Sequence, residues 1–162
     1  MMSHSVTIRT ATVTSNSSAI IINTGYLKSF NGLLKFLQLA LGIVCVGIMG
    51  HQFNQLYVRT TADLFFLLIV TTFMIATFIL ILSCLASIST ESIISKTIYE
   101  LIYHSIGFGL LLACSLTLLV RVNDNKYSRD HDLLLGASIC GLVNSALYLL
   151  NTIMAVRAYR GL

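Results

Sequence analysis

The chain contains no proline and no tryptophan, and only 10% of its residues are charged. A soluble domain carries about 25% charged residues, so polar surface is too scarce here to cover a water-facing fold. Without proline, no helix has to break for want of a backbone N–H. The formal charge of +4 neither clusters on one soluble face nor alternates with exposed aromatics, which excludes nucleic acid as a partner. Cysteines are few, and Cys45, Cys84, Cys114 and Cys140 all fall inside apolar stretches. None belongs to a CxxC or Cys/His spacing, so no metal or redox pair follows from them. His4, His51, His104 and His131 are scattered, with no nucleophile, acid pair or phosphate-binding loop beside them. No catalytic constellation is present, and neither catalysis nor a cofactor is expected.

What the chain has instead is long apolar runs. Hydrophobic residues make up 56% of it, concentrated in four stretches: Gly32–Gly50, Leu64–Ser87, Thr97–Val120 and Leu133–Val156. A hydrocarbon layer about 30 Å thick is crossed by roughly 20 residues at 1.5 Å each. Each stretch therefore spans a bilayer, and the expected fold is an all-α four-helix transmembrane bundle with short loops. Residues 1–25 are rich in Ser and Thr, contain no acid and show no sustained period, which reads as a disordered tail ahead of a membrane domain over 26–162.

An even number of spans puts both termini on one side. That side would hold Arg9, Lys28, Lys35, Lys96, Arg157 and Arg160, against Arg59, Arg121, Lys126 and Arg129 opposite. The excess favours cytoplasmic termini, an orientation in which the Asn16-Ser17-Ser18 sequon stays unused. Asp63 and Asp132 stand where a carboxylate caps a helix start, and Thr97 with Glu100 has capping-box spacing. Tyr26, Tyr57, Tyr99, Tyr103, Tyr127 and Tyr159 lie in loops or near span ends, where tyrosines anchor in headgroups. Tyr159-Arg160-Gly161-Leu162 fits a four-residue sorting pattern that also arises by chance.

Helical phase sorts the residues inside the spans. Ala137, Cys140, Gly141, Asn144, Tyr148, Asn151 and Ala155 share one face of the fourth span, which is expected to pack inwards. A pore lining would use the same residue types. In the first span, Gly32, Lys35, Leu39, Gly42, Val46 and Gly50 share a face. Lys35 then lies at the depth of Glu100 and His104 on the third span, with Gln38 and Asn151 near. Two readings stand: a Lys35–Glu100 ion pair, or a snorkelling lysine beside a capping glutamate. Ser105, Gly109, Ala113 and Thr117 form a small-residue ladder nearly opposite Glu100, a candidate face for a partner chain or lipid. Cys84 reads as a small buried residue, with acylation as the alternative.

Two segments carry a family likeness. One is Gly25-Tyr26-Leu27-Lys28-Ser29 running into Gly32-Leu33-Leu34-Lys35 and Gln38-Leu39-Ala40-Leu41-Gly42; the other is Gly141, Tyr148 and Arg157-Ala158-Tyr159-Arg160-Gly161. Together with the four-span layout, they resemble the MARVEL-domain family, in particular its short-loop MAL-like and singles-bar-like members. Gln38 stands where many MAL-like members have an acid. The resemblance implies a non-enzymatic protein of membrane apposition, vesicle trafficking or membrane fusion sites, in contact with cholesterol-rich or anionic membrane lipids and with other membrane proteins or its own copies. It implies residence in the plasma membrane or secretory and endosomal vesicles. A structural role in cell junctions and a small channel or transporter are the competing classes.

Overall fold

The computed structural model describes residues 26–55, 60–86, 93–94, 97–124 and 131–160. The expected tail over 1–25, the Asn16 sequon, Tyr57, Tyr127, Gly161 and Leu162 lie outside these residues. A short 3-10 turn, Tyr26–Lys28, leads into four long helices: α1 (Phe30–Gln55), α2 (Thr61–Ala86), α3 (Ile98–Asp124) and α4 (His131–Arg160). They are 26 to 30 residues long, so at 1.5 Å per residue each reaches roughly 40–45 Å, the full bilayer with its headgroups. All four are apolar enough to cross it. Each helix packs on the next, α1 also meets α4, and α3 and α4 share the most extensive interface. The result is a closed up-down-up-down bundle. Lys28 and the ends of α2 and α4 mark its terminal end, and the α1–α2 and α3–α4 connections mark its distal end.

The buried positions follow one rule on every helix. On α1 they run Lys35, Gln38, Gly42, Cys45, Met49, Gln52; on α2, Asp63, Phe66, Val70, Phe73, Thr77, Leu80, Cys84. On α3 they run Glu100, His104, Gly107, Leu111, Cys114, Leu118, and on α4, Leu134, Ala137, Gly141, Asn144, Tyr148, Asn151, Ala155. Steps of three and four alternate, the 3.5-residue period of left-handed helix packing. This corrects the expected face of α1: Gly50 is exposed and Leu39 and Val46 are only half-buried, while Gln38, Cys45, Met49 and Gln52 take the core. The expected stripe takes Leu39, Val46 and Gly50, each one residue beyond the core positions Gln38, Cys45 and Met49, which rotates it away from its neighbours.

Local chemistry fixes the helix starts. The Ser29 hydroxyl accepts from the Gly32 N–H at 3.1 Å and donates to the Tyr26 carbonyl at 2.7 Å. A Cβ on Gly32 would overlap that carbonyl, so only glycine lets the turn close onto α1. At α2 the Asp63 carboxylate accepts from the Thr60 N–H at 3.1 Å and from its hydroxyl at 2.8 Å. The capping box expected at α3 does not form. Thr97 directs both its N–H and its hydroxyl to the Ile94 carbonyl, and Glu100 turns into the bundle. Hydroxyls on the outer faces, such as Thr72 and Ser83, donate to their own helix carbonyls four residues back, which suits them to lipid.

Candidate functional site

The two halves of the bundle interior differ. The distal half is filled by an apolar cluster that includes Cys45, Met49, Phe66, Val70, Leu111 and Leu118. The terminal half is polar. Lys35 on α1 forms an ion pair with Glu100 on α3, across the diagonal of the bundle, and both are at most 5% exposed. His104 Nε2 lies 3.7 Å from the same Glu100 oxygen. Because a charge buried in hydrocarbon is costly, pairing is what lets Lys35 remain on the packed side.

One turn deeper, the other diagonal is bridged. Thr77 Oγ1 on α2 lies 2.6 Å from Tyr148 Oη on α4 and 2.8 Å from Tyr103 Oη on α3. The tyrosine rings pack with Phe73 and with His104, at centroid separations of 5.0–6.1 Å. Tyr148 lies against Gly107, where a Cβ would come within 2.7 Å of its ring edge. Gly141 is equally constrained, since its Cβ would meet Ser115 and Phe66. Helical phase had singled out Gly141 but missed Gly107 and Thr77. The alternation of three and four on α3 and α2 was the signal that would have found them.

The remaining sequence candidates sort by face. Ala137, Gly141, Asn144, Tyr148 and Asn151 are all buried. Gln38 is buried too, but its amide makes no hydrogen bond, nor does Asn144 Oδ1 or Asn151 Nδ2; Lys35, Glu100 and His104 are joined, while Gln38 and Asn151 are not bonded into that group. Ser105, Gly109, Ala113 and Thr117 are all exposed. Ser105 and Thr117 donate to the Leu101 and Ala113 carbonyls of their own helix, leaving the ladder a smooth outward strip. Cys84 is buried in a small cluster with Tyr26 and Leu80, which hides its sulfur from an acyl donor. Tyr99 and Tyr159 are exposed at the terminal end as anchors should be, whereas Tyr26 and Tyr103 point into the protein.

One ion pair was not anticipated. Arg121, near the end of α3, pairs with Asp63, in the first turn of α2, at the distal end. Opposite charges at the same end of neighbouring antiparallel spans were visible in the sequence, but Asp63 had been given only a capping role. Between α3 and α4 at that end a cleft of about 520 Å³ is lined by Leu119, Val120, Asn123, His131 and Leu135. It lies away from the polar interior. Among the described residues, no three His, Cys, Asp or Glu side chains come together as metal ligands would.

A family model described as a membrane-associating domain, MARVEL, matches residues 26–154. The chain belongs to the MARVEL family. No curated protein and no solved structure matches it. The matched residues run from the Tyr26 turn through most of α4, so the Lys35–Glu100 pair, the Thr77–Tyr148 bridge and the outward ladder all lie within the MARVEL domain. It is a tetraspan membrane protein of a family associated in general with membrane apposition and trafficking, and its spanning helices sit among lipids.

Proposed function

We propose that this MARVEL protein organises membrane at sites of apposition, vesicle delivery or fusion, without catalysis, through lateral contacts with other spans and with lipid. The observation that carries this reading is the division of α3. One face is committed to the core, and the opposite face presents Ser105, Gly109, Ala113 and Thr117 outwards, exposed among the described residues. Small residues at four-residue spacing let a second helix approach closely. The apolar cluster that occupies much of the distal half, around Met49, Phe66, Leu111 and Leu118, argues against a continuous polar path along the bundle axis.

Charge supports cytoplasmic termini. The Lys35–Glu100 and Asp63–Arg121 pairs each cancel one charge of either sign at their own end. Among the described residues this leaves Lys28, Arg157 and Arg160 exposed at the terminal end and Asp124 and Asp132 exposed at the distal end. A cationic rim of this kind suits the anionic cytoplasmic leaflet. In cells lacking the protein, vesicles should accumulate at contact sites or membranes should fail to merge, while polarity and adhesion persist. Gly109→Leu with Ala113→Leu should fail to rescue that defect although the protein is made and reaches its membrane. Ion or solute flux in reconstituted liposomes, or a defect confined to barrier leakiness, would overturn the proposal.

A further inference from the structure

The polar half of the bundle is closed at its terminal end by a segment that belongs to no membrane helix. The Tyr26 ring is 2% exposed and packs on Leu80 and Cys84 of α2. Lys35 Nζ lies 5.8 Å from its centroid, so the ring sits over the Lys35–Glu100 pair. The segment's backbone is tied to α1 by the Ser29 N–H and hydroxyl on the Tyr26 carbonyl and by the close approach that Gly32 permits, and its ring is held by packing in a cluster with Leu80 and Cys84 that Leu85, Ile94 and Tyr103 border. It can leave without unwinding a helix.

Beneath it lie groups that closure leaves unsatisfied. Both polar atoms of the Gln38 amide, Nδ1 of His104 and Nδ2 of Asn151 are buried and make no hydrogen bond. Gln38 is three residues deeper than Lys35 and His104 four residues deeper than Glu100, about 4.5–6 Å below the pair at 1.5 Å per residue. Unpaired donors and acceptors kept from water oppose the closed state, whereas burial of the Tyr26 ring favours it. Two opposed terms at one end of the bundle are the makings of a two-state element.

We infer that the Tyr26–Lys28 turn is a displaceable strap, whose release admits water from the terminal end to Gln38, His104 and Asn151 and so switches the inner half of the bundle between a sealed and an open form. The inference rests on this geometry and stands apart from the proposed trafficking role.

Cys84, 1% exposed beside the Tyr26 ring, is a native reporter. The full chain with Cys140→Ala is placed in nanodiscs, where both faces meet solvent, and treated with a charged maleimide. Labelling of Cys84 should be slow in this parent, because its rate follows the open population. Tyr26→Ala should speed it by roughly tenfold or more, and Gly32→Ala should also speed it, while Tyr26→Phe keeps the ring and the slow rate. Gln38→Leu removes the strongest gain from opening and should slow labelling on the order of threefold. Cys45 and Cys114, buried in the distal half, should stay unlabelled throughout. The strap is refuted if Tyr26→Ala leaves the Cys84 rate unchanged, or if Cys45 and Cys114 become reactive in parallel, which is general loosening. A Cys84 rate in Gln38→Leu equal to or above the parent's would reduce Tyr26 to a packing residue and refute the switch.

Discussion

Removing one member of the Lys35–Glu100 pair should cost far more than removing both. Breaking a buried ion pair generally costs about 3–5 kcal/mol, because a charge is left without compensation, whereas replacing both partners by neutral groups is often close to neutral. Two features of this site lower the single-mutant values. His104, 3.7 Å from Glu100 Oε1, can partly answer the carboxylate left by Lys35→Met, which should therefore cost about 2–4 kcal/mol. In Glu100→Gln the lysine is freed, and its stem is long enough to snorkel from a position near the terminal end of α1 to the headgroups, so about 1–2 kcal/mol is expected. The double variant should lie within about 1 kcal/mol of the parent. The resulting coupling is about 2–6 kcal/mol, above the roughly 0.6 average and 1.7 maximum of polar pairs measured between membrane helices, because both partners here are charged and almost fully buried. Unfolding in mixed micelles with rising SDS fraction, followed by helix signal and by Tyr fluorescence, measures all four corners of the cycle. Additivity within about 0.5 kcal/mol would refute the reasoning and leave Lys35 a snorkelling lysine.

Gly141→Leu should destabilise the bundle by about 1–3 kcal/mol or more through overpacking on Ser115 and Phe66; Val143→Ala, on the exposed face of the same helix, should change its melting in detergent by no more than about 0.5 kcal/mol. At the distal end, Arg121→Met strands the buried Asp63 carboxylate and should cost about 1–3 kcal/mol, while Asp63→Asn keeps an acceptor for the Thr60 N–H and should cost less. The same SDS titration ranks the two, and the reverse order would refute the assignment. For orientation, cytoplasmic termini leave the Asn16 sequon unmodified in cells; an endoglycosidase-sensitive mass shift that disappears in Asn16→Gln would invert the topology.

The spans were legible because their signal is bulk: runs of twenty apolar residues between short polar loops leave one architecture open. The α4 stripe was legible because its polar members, Asn144, Tyr148 and Asn151, recur at the spacing of a single face. The face of α1 was harder. Its phase was read largely from small residues, and Gly50 faces outwards into open space, whereas Lys35, Gln38 and Gln52 together mark the buried side. Tyr26 and Tyr103 were misjudged for a related reason. Tyrosines near span ends favour headgroups on average, but a hydroxyl can equally be satisfied inside the bundle, as Tyr103 is by Thr77. Pairing is a property of two helices at once. Asp63 with Arg121, and Thr77 with Tyr148, required the order and register of the spans, which no single-helix pattern contains.

The two spacings on α3 explain how one helix serves the fold and still has a face to offer. Its core residues, Glu100, His104, Gly107, Leu111, Cys114 and Leu118, alternate steps of four and three and so keep a constant bearing towards a left-handed bundle. Ser105, Gly109, Ala113 and Thr117 step by four throughout, and at 3.6 residues per turn they drift slowly around the outside. A ladder of that pitch cannot follow the bundle's own supercoil; it matches a helix crossing in the opposite, right-handed sense. One pitch closes the four spans on themselves, burying the ion pair and the tyrosine bridge, and the other is the one that the proposed lateral contacts with another span would use.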